Sequence, residues 1–306
     1  MHPLLNLFRI FPSAHEASPR PTLAAEITPE GVTTAATVSG GAPQLAFSAI
    51  AEGSLLPSLH AGNLVNVESV TSALRSALDQ VSGRSRTATL VIPDAAVRVL
   101  ILDFDTLPAK YDEADSIIRF RLKKLLPFDV EDARVSYQTL SQKADRTSLL
   151  AAVVPKDVLS EYENALIAAG YEVGAVLPSS LASLAAAPDM EAELVVNLCG
   201  STVTTVIVSG NELLLHRSLE LPCEESASLA ELQRAIAVTA AYFEDLLGVP
   251  PARLLYTGAG GVEEIEPLLA DLNLMMQILL PRPVTGYTSP LPPRLAYAGV
   301  LGALAG

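Results

Sequence analysis

The chain opens each of its two halves in the same way, with a short β run, a tight turn and a second β run. In the first half, the apolar run Leu23 to Ile27 meets the turn signal Pro29-Glu30-Gly31 and then the β-branched run Val32 to Val38. Gly40-Gly41 closes this pair, and Leu45 to Ile50 reads as a third strand. In the second half, Leu194 to Leu198 turns at Gly200 into Thr202 to Val208, and Gly210-Asn211 turns again into Leu213 to Leu219. Helices and further strands follow each hairpin. This pattern predicts an α/β fold built by duplication, although no residue-level repeat survives between the halves.

The elements between the hairpins follow from periodicity. Val70, Leu74, Ala77, Leu78 and Val81 share one face of a helix over Val67 to Val81, with Gly83 as its stop. Thr87 to Ile92 and Val97 to Phe104 read as strands, broken by Pro93-Asp94. The spacing of Ala114, Ile118, Leu122, Leu125 and Leu126 predicts a helix from Lys110 to Leu126, ended by Pro127. Two strands (135–140, 148–154), a helix from Pro155 to Ala169, a strand (171–177) and an alanine-rich helix (179–187) complete the first half. Pro188-Asp189 is the expected boundary. After it come a long helix to Leu247, a strand Arg253 to Tyr256, the turn Gly258-Ala259-Gly260-Gly261, a helix Glu263 to Leu272 and a strand Met275 to Leu280. A proline-rich loop (281–293) leads to a closing helix (295–304).

Composition narrows the function. The 306 residues suit two domains, and a 50 % hydrophobic content with no Trp implies cores of Leu, Val, Ala and Ile. A net charge of −14 opposes a general role on nucleic acid or on anionic lipid. Cys199 and Cys223 form no C-x-x-C pair and are expected as two buried, reduced thiols. The start of the chain lacks the charged and apolar regions of a signal peptide, and residues 1–20 are expected as a flexible lead. No apolar run approaches the length of a membrane span, so a membrane link is expected only through a partner. His2, His15, His60 and His216 lie in unrelated contexts, and no G-x-S-x-G or H-E-x-x-H motif occurs.

One string is distinctive: IIRFRLKKLLPFDVEDARVSY, a helix, then Pro127-Phe128, then an acidic turn into a strand. With its flanks, from Leu90 to Tyr137, it resembles the PilM family of type IV pilus assembly proteins. LVVNLCGSTVTTVIVSGNELLLHRSLEL resembles that family's second phosphate hairpin, and LLYTGAGGVEEIEPLLADL its adenosine motif. The resemblance runs from about Leu23 to the C-terminus. It implies the fold of actin and FtsA: two α/β domains flanking a nucleotide cleft, with a small inserted subdomain called 1C. The implied division is domain 1 over 21–85 and 171–188, the insert over 86–170, and domain 2 over 189–306, whose last helix packs back on domain 1. It also implies a cytoplasmic protein at the inner-membrane face that holds the N-terminal tail of a PilN-like bitopic protein near 1C. Other pilus ATPases or platform proteins are further expected partners; nucleic acid is not.

An actin-like cleft needs glycine turns whose N–H groups cradle phosphate, and carboxylates that hold Mg²⁺. The implied cofactor-binding residues are Glu26, Asn197, Gly200, Ser201, Thr202, Gly258, Ala259, Gly260 and Gly261. Where the family has Asp-x-Gly, the first hairpin keeps only Glu26. Asn197 stands in place of the second Asp, and Gly200 falls one position late. Weak or absent ATPase activity is therefore expected, with no catalytic residue. ATP is expected as a weak ligand at most, and Mg²⁺ only together with it. The basic stretch Arg119, Arg121, Lys123 and Lys124 reads as a helix end complementing its dipole. Arg119, Arg121 and Lys124 are alternatively a docking face for an acidic partner or a lipid headgroup. The reading is a scaffold. The alternatives are a nucleotide-switched ATPase of the same fold and the cytoplasmic part of a GspL-like type II secretion component.

Overall fold

A computed structural model describes residues 20–81, 85–143, 145–187, 191–210, 212–258, 265–272, 274–280 and 297–305. The expected flexible lead up to residue 19, Gly83, the Pro188-Asp189 boundary, Asn211, the glycines 260 and 261 with Ala259, the start of the helix expected from Glu263, and the proline-rich loop lie outside them.

The first half builds one mixed sheet. β1 (Leu23–Thr28), β2 (Gly31–Ala36) and β3 (Gln44–Ala49) form an antiparallel meander, and β4 (Thr87–Ile92) and β8 (Glu172–Pro178) add on the other side in parallel. The second half repeats that plan. β9 (Ala192–Cys199), β10 (Thr202–Ser209) and β11 (Glu212–Glu220) form the meander, and β12 (Arg253–Tyr256) and β13 (Met275–Ile278) add in parallel. The strand orders, β3-β2-β1-β4-β8 and β11-β10-β9-β12-β13, are the same topology. The duplication expected from the two hairpins is thus real in strand order, where sequence identity no longer shows it.

Helices cover the sheets. α1 (Val67–Val81) buries Val70, Leu74, Ala77 and Leu78 against the first sheet, and Thr34 Oγ1 donates to the Ala77 carbonyl at 2.9 Å. Each Val or Leu among these contributes about 1.5–3 kcal/mol when fully buried. α3 (Lys156–Ala168) packs beside α1, and its buried Tyr162 donates to Asn63 Oδ1 at 3.0 Å. α5 (Glu225–Leu247) lies over the second sheet on Leu232, Ile236 and Phe243, and Gly248 ends it at φ 74°. The opposite face of that sheet joins the first half's core through Val195, Val206 and Leu255. α4 (Ser179–Ala186) links the halves. The closing helix α6 (Ala298–Leu304) returns to pack on α4 and β1, so tightly that a Cβ at Gly302 would overlap the Ala182 carbonyl.

Between β4 and β8 lies a separate three-stranded sheet, β5 (Arg98–Phe104), β7 (Thr147–Pro155) and β6 (Ala133–Gln142), covered by α2 (Tyr111–Leu122). Ile118 and Leu122 join its own small core with Leu102, Leu149 and Val153. The insert is smaller than 86–170. β4 sits between β1 and β8 in the first sheet, and α3 buries Val158, Tyr162 and Leu166 in the first half's core. Three further expectations change. α2 ends at Leu122, with Lys123 to Leu126 in a turn. Glu266–Leu272 is a 3₁₀ helix. Cys199 is buried, but Cys223 is exposed.

Candidate functional site

The two hairpin turns meet where the halves join. Gly200, at φ 56°, sits in the left-handed region that glycine adopts without steric cost. Its own space is taken: a Cβ there would lie 3.0 Å from Cγ of Pro29 in the first turn. Ser201 is exposed, and its carbonyl accepts the Leu221 N–H at 2.7 Å. Thr202 is buried as the first residue of β10, paired with Cys199. Gly258 follows β12, and a Cβ there would come within 2.6–2.7 Å of the Leu198 backbone and Tyr256 Oη. Close strand packing alone thus requires glycine at 258. The cavity beside it, between Tyr256, Gly258, Ile278 and Tyr297, holds about 10 Å³, room for about one water.

Behind the turns, a buried polar network crosses from one half to the other. Asn197, 4 % exposed on β9, is its hub. Its amide donates to Asp94 Oδ2 at 3.2 Å and to Ser179 Oγ at 3.3 Å. Ser179 in turn donates to Glu26 Oε1 at 2.6 Å. Asp94 also receives the Ser180 N–H at 3.1 Å and the Ser180 hydroxyl at 2.9 Å. Both serines lie in the first turn of α4. Pro178 before them offers no capping side chain, so Asp94, from the turn after β4, supplies the carboxylate that the positive helix end attracts.

Proton bookkeeping fixes the last member. The single hydroxyl proton of Ser180 goes to Asp94, so the 2.8 Å contact with His216 Nε2 requires the ring to donate. That leaves Nδ1 as an acceptor, with no partner among the described residues. Burial of the ring lowers the His216 pKa, against the pull of Asp94. Glu26 behaves in the opposite sense. Burial raises its pKa to about 7, although Ser179 holds it down and Asp94 pushes it further up. Its Oε2 lies against Gly299, where a Cβ would overlap it, and has no hydrogen-bond partner among the described residues.

The site thus gathers Glu26 and Asn197, both expected, with Asp94, Ser179, Ser180 and His216, which sequence reasoning did not select. Pro93-Asp94 reads only as a strand break, and the serines only as a helix start. Gly200, Ser201 and Thr202 stand at the adjoining turn, Gly258 beside the small cavity, and the rest of the glycine turn lies outside the described residues. Glu26 and Asp94 spend their carboxylates on internal donors or on apolar surroundings, and neither faces open space. No group of three or more His, Cys, Asp or Glu side chains arranged to hold a metal occurs among the described residues.

The basic face is divided. Arg119 turns inward, pairing with Asp115 at 2.7 Å and donating to the Val130 carbonyl at 3.1 Å. It ties α2 to the turn before β6. Arg121 and Lys124 are exposed, and the Lys124 ammonium lies 4.9 Å from the centre of the Phe120 ring. An open groove of about 430 Å³ runs beside the insert, between Leu59 and His60 of the first half, Phe128, Asp129 and Asp132 of the insert, and Pro155 to Asp157 where the two join. No described helix is long and apolar enough to cross a membrane.

No family model matches the sequence, and no curated protein does. Solved structures do. A chain of the "PilM-PilN type IV pilus biogenesis complex" superposes with a TM-score of 0.68 at 18 % identity, over 84 % of this chain and 88 % of that one. The cytoplasmic domain of EpsL, an inner-membrane component of the Vibrio cholerae type II secretion system, gives 0.49 at 14 % identity, over 92 % of each chain. A Bacteroides thetaiotaomicron protein of actin-like ATPase fold and unknown function also gives 0.49, at 12 % identity, over 83 % of this chain and 90 % of that one. The chain therefore has the two-domain, actin-like α/β fold, and the PilM resemblance read in the sequence holds at the level of fold.

Proposed function

We propose that this protein is an assembly platform of a pilus or secretion apparatus, peripheral to the inner membrane on its cytoplasmic side, and that it holds the tail of a PilN-like bitopic partner. The single observation that carries this reading is the groove between the first half and the insert. One wall is built by Phe128, Asp129 and Asp132, from the middle of the most distinctive sequence motif. Leu59, Phe128 and Pro155 give it apolar walls, and Asp129, Asp132 and Asp157 outweigh Lys156 to leave it negatively charged. Cytoplasmic tails of bitopic proteins carry Lys and Arg close to their membrane span. A short apolar and basic tail therefore matches the groove in both respects. The fold shared with the PilM-PilN structure supports the same reading.

We also infer that the chain is not an ATPase. The residues at the phosphate turns and behind them do not fit Mg·ATP. Pro29 fills the approach to Gly200, Asn197 donates where a carboxylate would bind metal, and Glu26 is buried.

The test is a fluorescence anisotropy titration with a peptide of the N-terminal cytoplasmic tail of a PilN-like bitopic protein from the same organism. Saturable binding, weakened about tenfold by Phe128→Ala in the groove, is expected. Binding that ignores Phe128→Ala and Asp132→Lys would place the tail elsewhere, and no binding would remove the reading.

A further inference from the structure

Two exposed faces, over separate cores, answer each other chemically. The first is the end of α2 and the turn after it. Ile117, Phe120 and Leu125 are 41, 66 and 50 % exposed there, beside exposed Arg121, Lys123 and Lys124. No Asp or Glu lies between Ser116 and Phe128, in a chain with 34 acidic residues. Arg121 and Lys123 make no ion pair among the described residues.

The second is the C-terminal half of α5. Val238, Tyr242 and Leu246 recur every four residues, and Val249 follows; all four are exposed, by 43–55 %. Such spacing lines them along one face. Glu244 and Asp245 are exposed in the last turn, where no basic residue accompanies them, and none occurs between Arg234 and Arg253. The C-terminal end of a helix is its negative pole, so two carboxylates there are locally unfavourable. A breach of a local rule without internal compensation marks a surface that something else covers.

We propose that these faces bind each other between two copies of this chain, α2 of one copy on the end of α5 of the next. The second copy is the occupant because it carries the complementary set. Its cations meet Glu244, Asp245 and the negative helix pole, and its Ile117, Phe120 and Leu125 meet Tyr242, Leu246 and Val249. The pairing is intermolecular because α2 packs over the insert's core and α5 over the second sheet's. Copies so joined either close as a symmetric pair or continue head to tail. The groove reading does not depend on it.

The test is sedimentation velocity of the full chain over a concentration series. Salt is held near 0.15 M, so that the net charge of −14 is screened. The wild type is expected to form dimers or larger species. R121E/K124E and E244K/D245K are each expected to weaken association about tenfold or more. The variant carrying all four reversals is expected to regain it, because the signs again oppose. All four reversed positions are on the surface, and an unchanged circular dichroism melt confirms that each variant is folded. A wild type that stays a 32.2 kDa monomer throughout would overturn the proposal. So would association indifferent to the reversals, or a fourfold variant that stays dissociated. Flotation of the wild type with anionic vesicles, lost in R121E/K124E, would assign the α2 face to lipid and equally overturn it.

Discussion

The Asn197 side-chain amide donates to Asp94 Oδ2 across 3.2 Å, tying β9 of the second sheet to the turn after β4 of the first. The same nitrogen donates to Ser179 Oγ, which holds Glu26. An amide has two N–H bonds to give; a carboxylate has none. Asn at this position thus serves two acidic groups at once, and the join between the halves is built on donors.

Asn197→Asp should therefore destabilise the protein. It would remove both donors and set a carboxylate against Asp94 in a buried site, at a cost of about 2–4 kcal/mol. A thermal melt checks this. If the variant instead gained stability on addition of Mg²⁺ and ATP, the position would be a weakened metal ligand and not a structural hub.

Glu26 makes a pH prediction. Its folded pKa of about 7 lies above the ordinary 4.5, so the folded state holds the proton more tightly. The contribution is fully present below pH 4.5 and is lost as pH rises to about 7, by about 3 kcal/mol in all. Glu26→Gln keeps the shape without the charge. The stability of wild type relative to Glu26→Gln should fall across that window and be flat above it, in urea melts at several pH values. His216 works in the opposite sense, its contribution being lost as pH falls below 6.5, and it cancels in the comparison because both proteins carry it.

Gly302→Ala should be among the most damaging single methyl additions. The new Cβ would overlap the Ala182 carbonyl, which is helix backbone and cannot step aside. Separating α6 from α4 also disturbs Gly299, packed on Glu26. A loss of about 3 kcal/mol or more is expected by chemical denaturation.

Arg119 and Arg121 lie two residues apart with opposite expected effects. Arg119→Ala loses the Asp115 ion pair, with its two side chains 28 and 22 % exposed, and leaves the Val130 carbonyl without that donor. A loss of about 1–2 kcal/mol is expected. Arg121→Ala, on an exposed side chain, should stay within about 0.5 kcal/mol. Paired denaturation curves separate them.

Much of this fold was legible because it is local. The two hairpins declare themselves by apolar runs and glycine turns, and α1, α3 and α5 by the spacing of their buried residues. Asn197 and the displaced Gly200 already pointed to an altered phosphate turn. The remaining parts of the site depend on closure over long distances in the chain. Asp94 meets a residue 103 positions away, and Ser179 one 153 positions away, so neither carries a neighbouring signal. The insert's true edge was hidden for the same reason: β4 belongs to the first sheet only because β1 and β8 flank it. Arg119 differs, since Asp115 four residues before it is the ordinary spacing of a helical ion pair.

The central claim is that this actin-like chain has closed its nucleotide site and works by binding. Calorimetric titration of Mg·ATP into the purified protein tests it most directly. No saturable heat is expected up to about millimolar nucleotide, the weak end of the ordinary affinity range. Saturable binding at micromolar concentration, abolished by Asn197→Ala in a variant that still melts cooperatively, would contradict it.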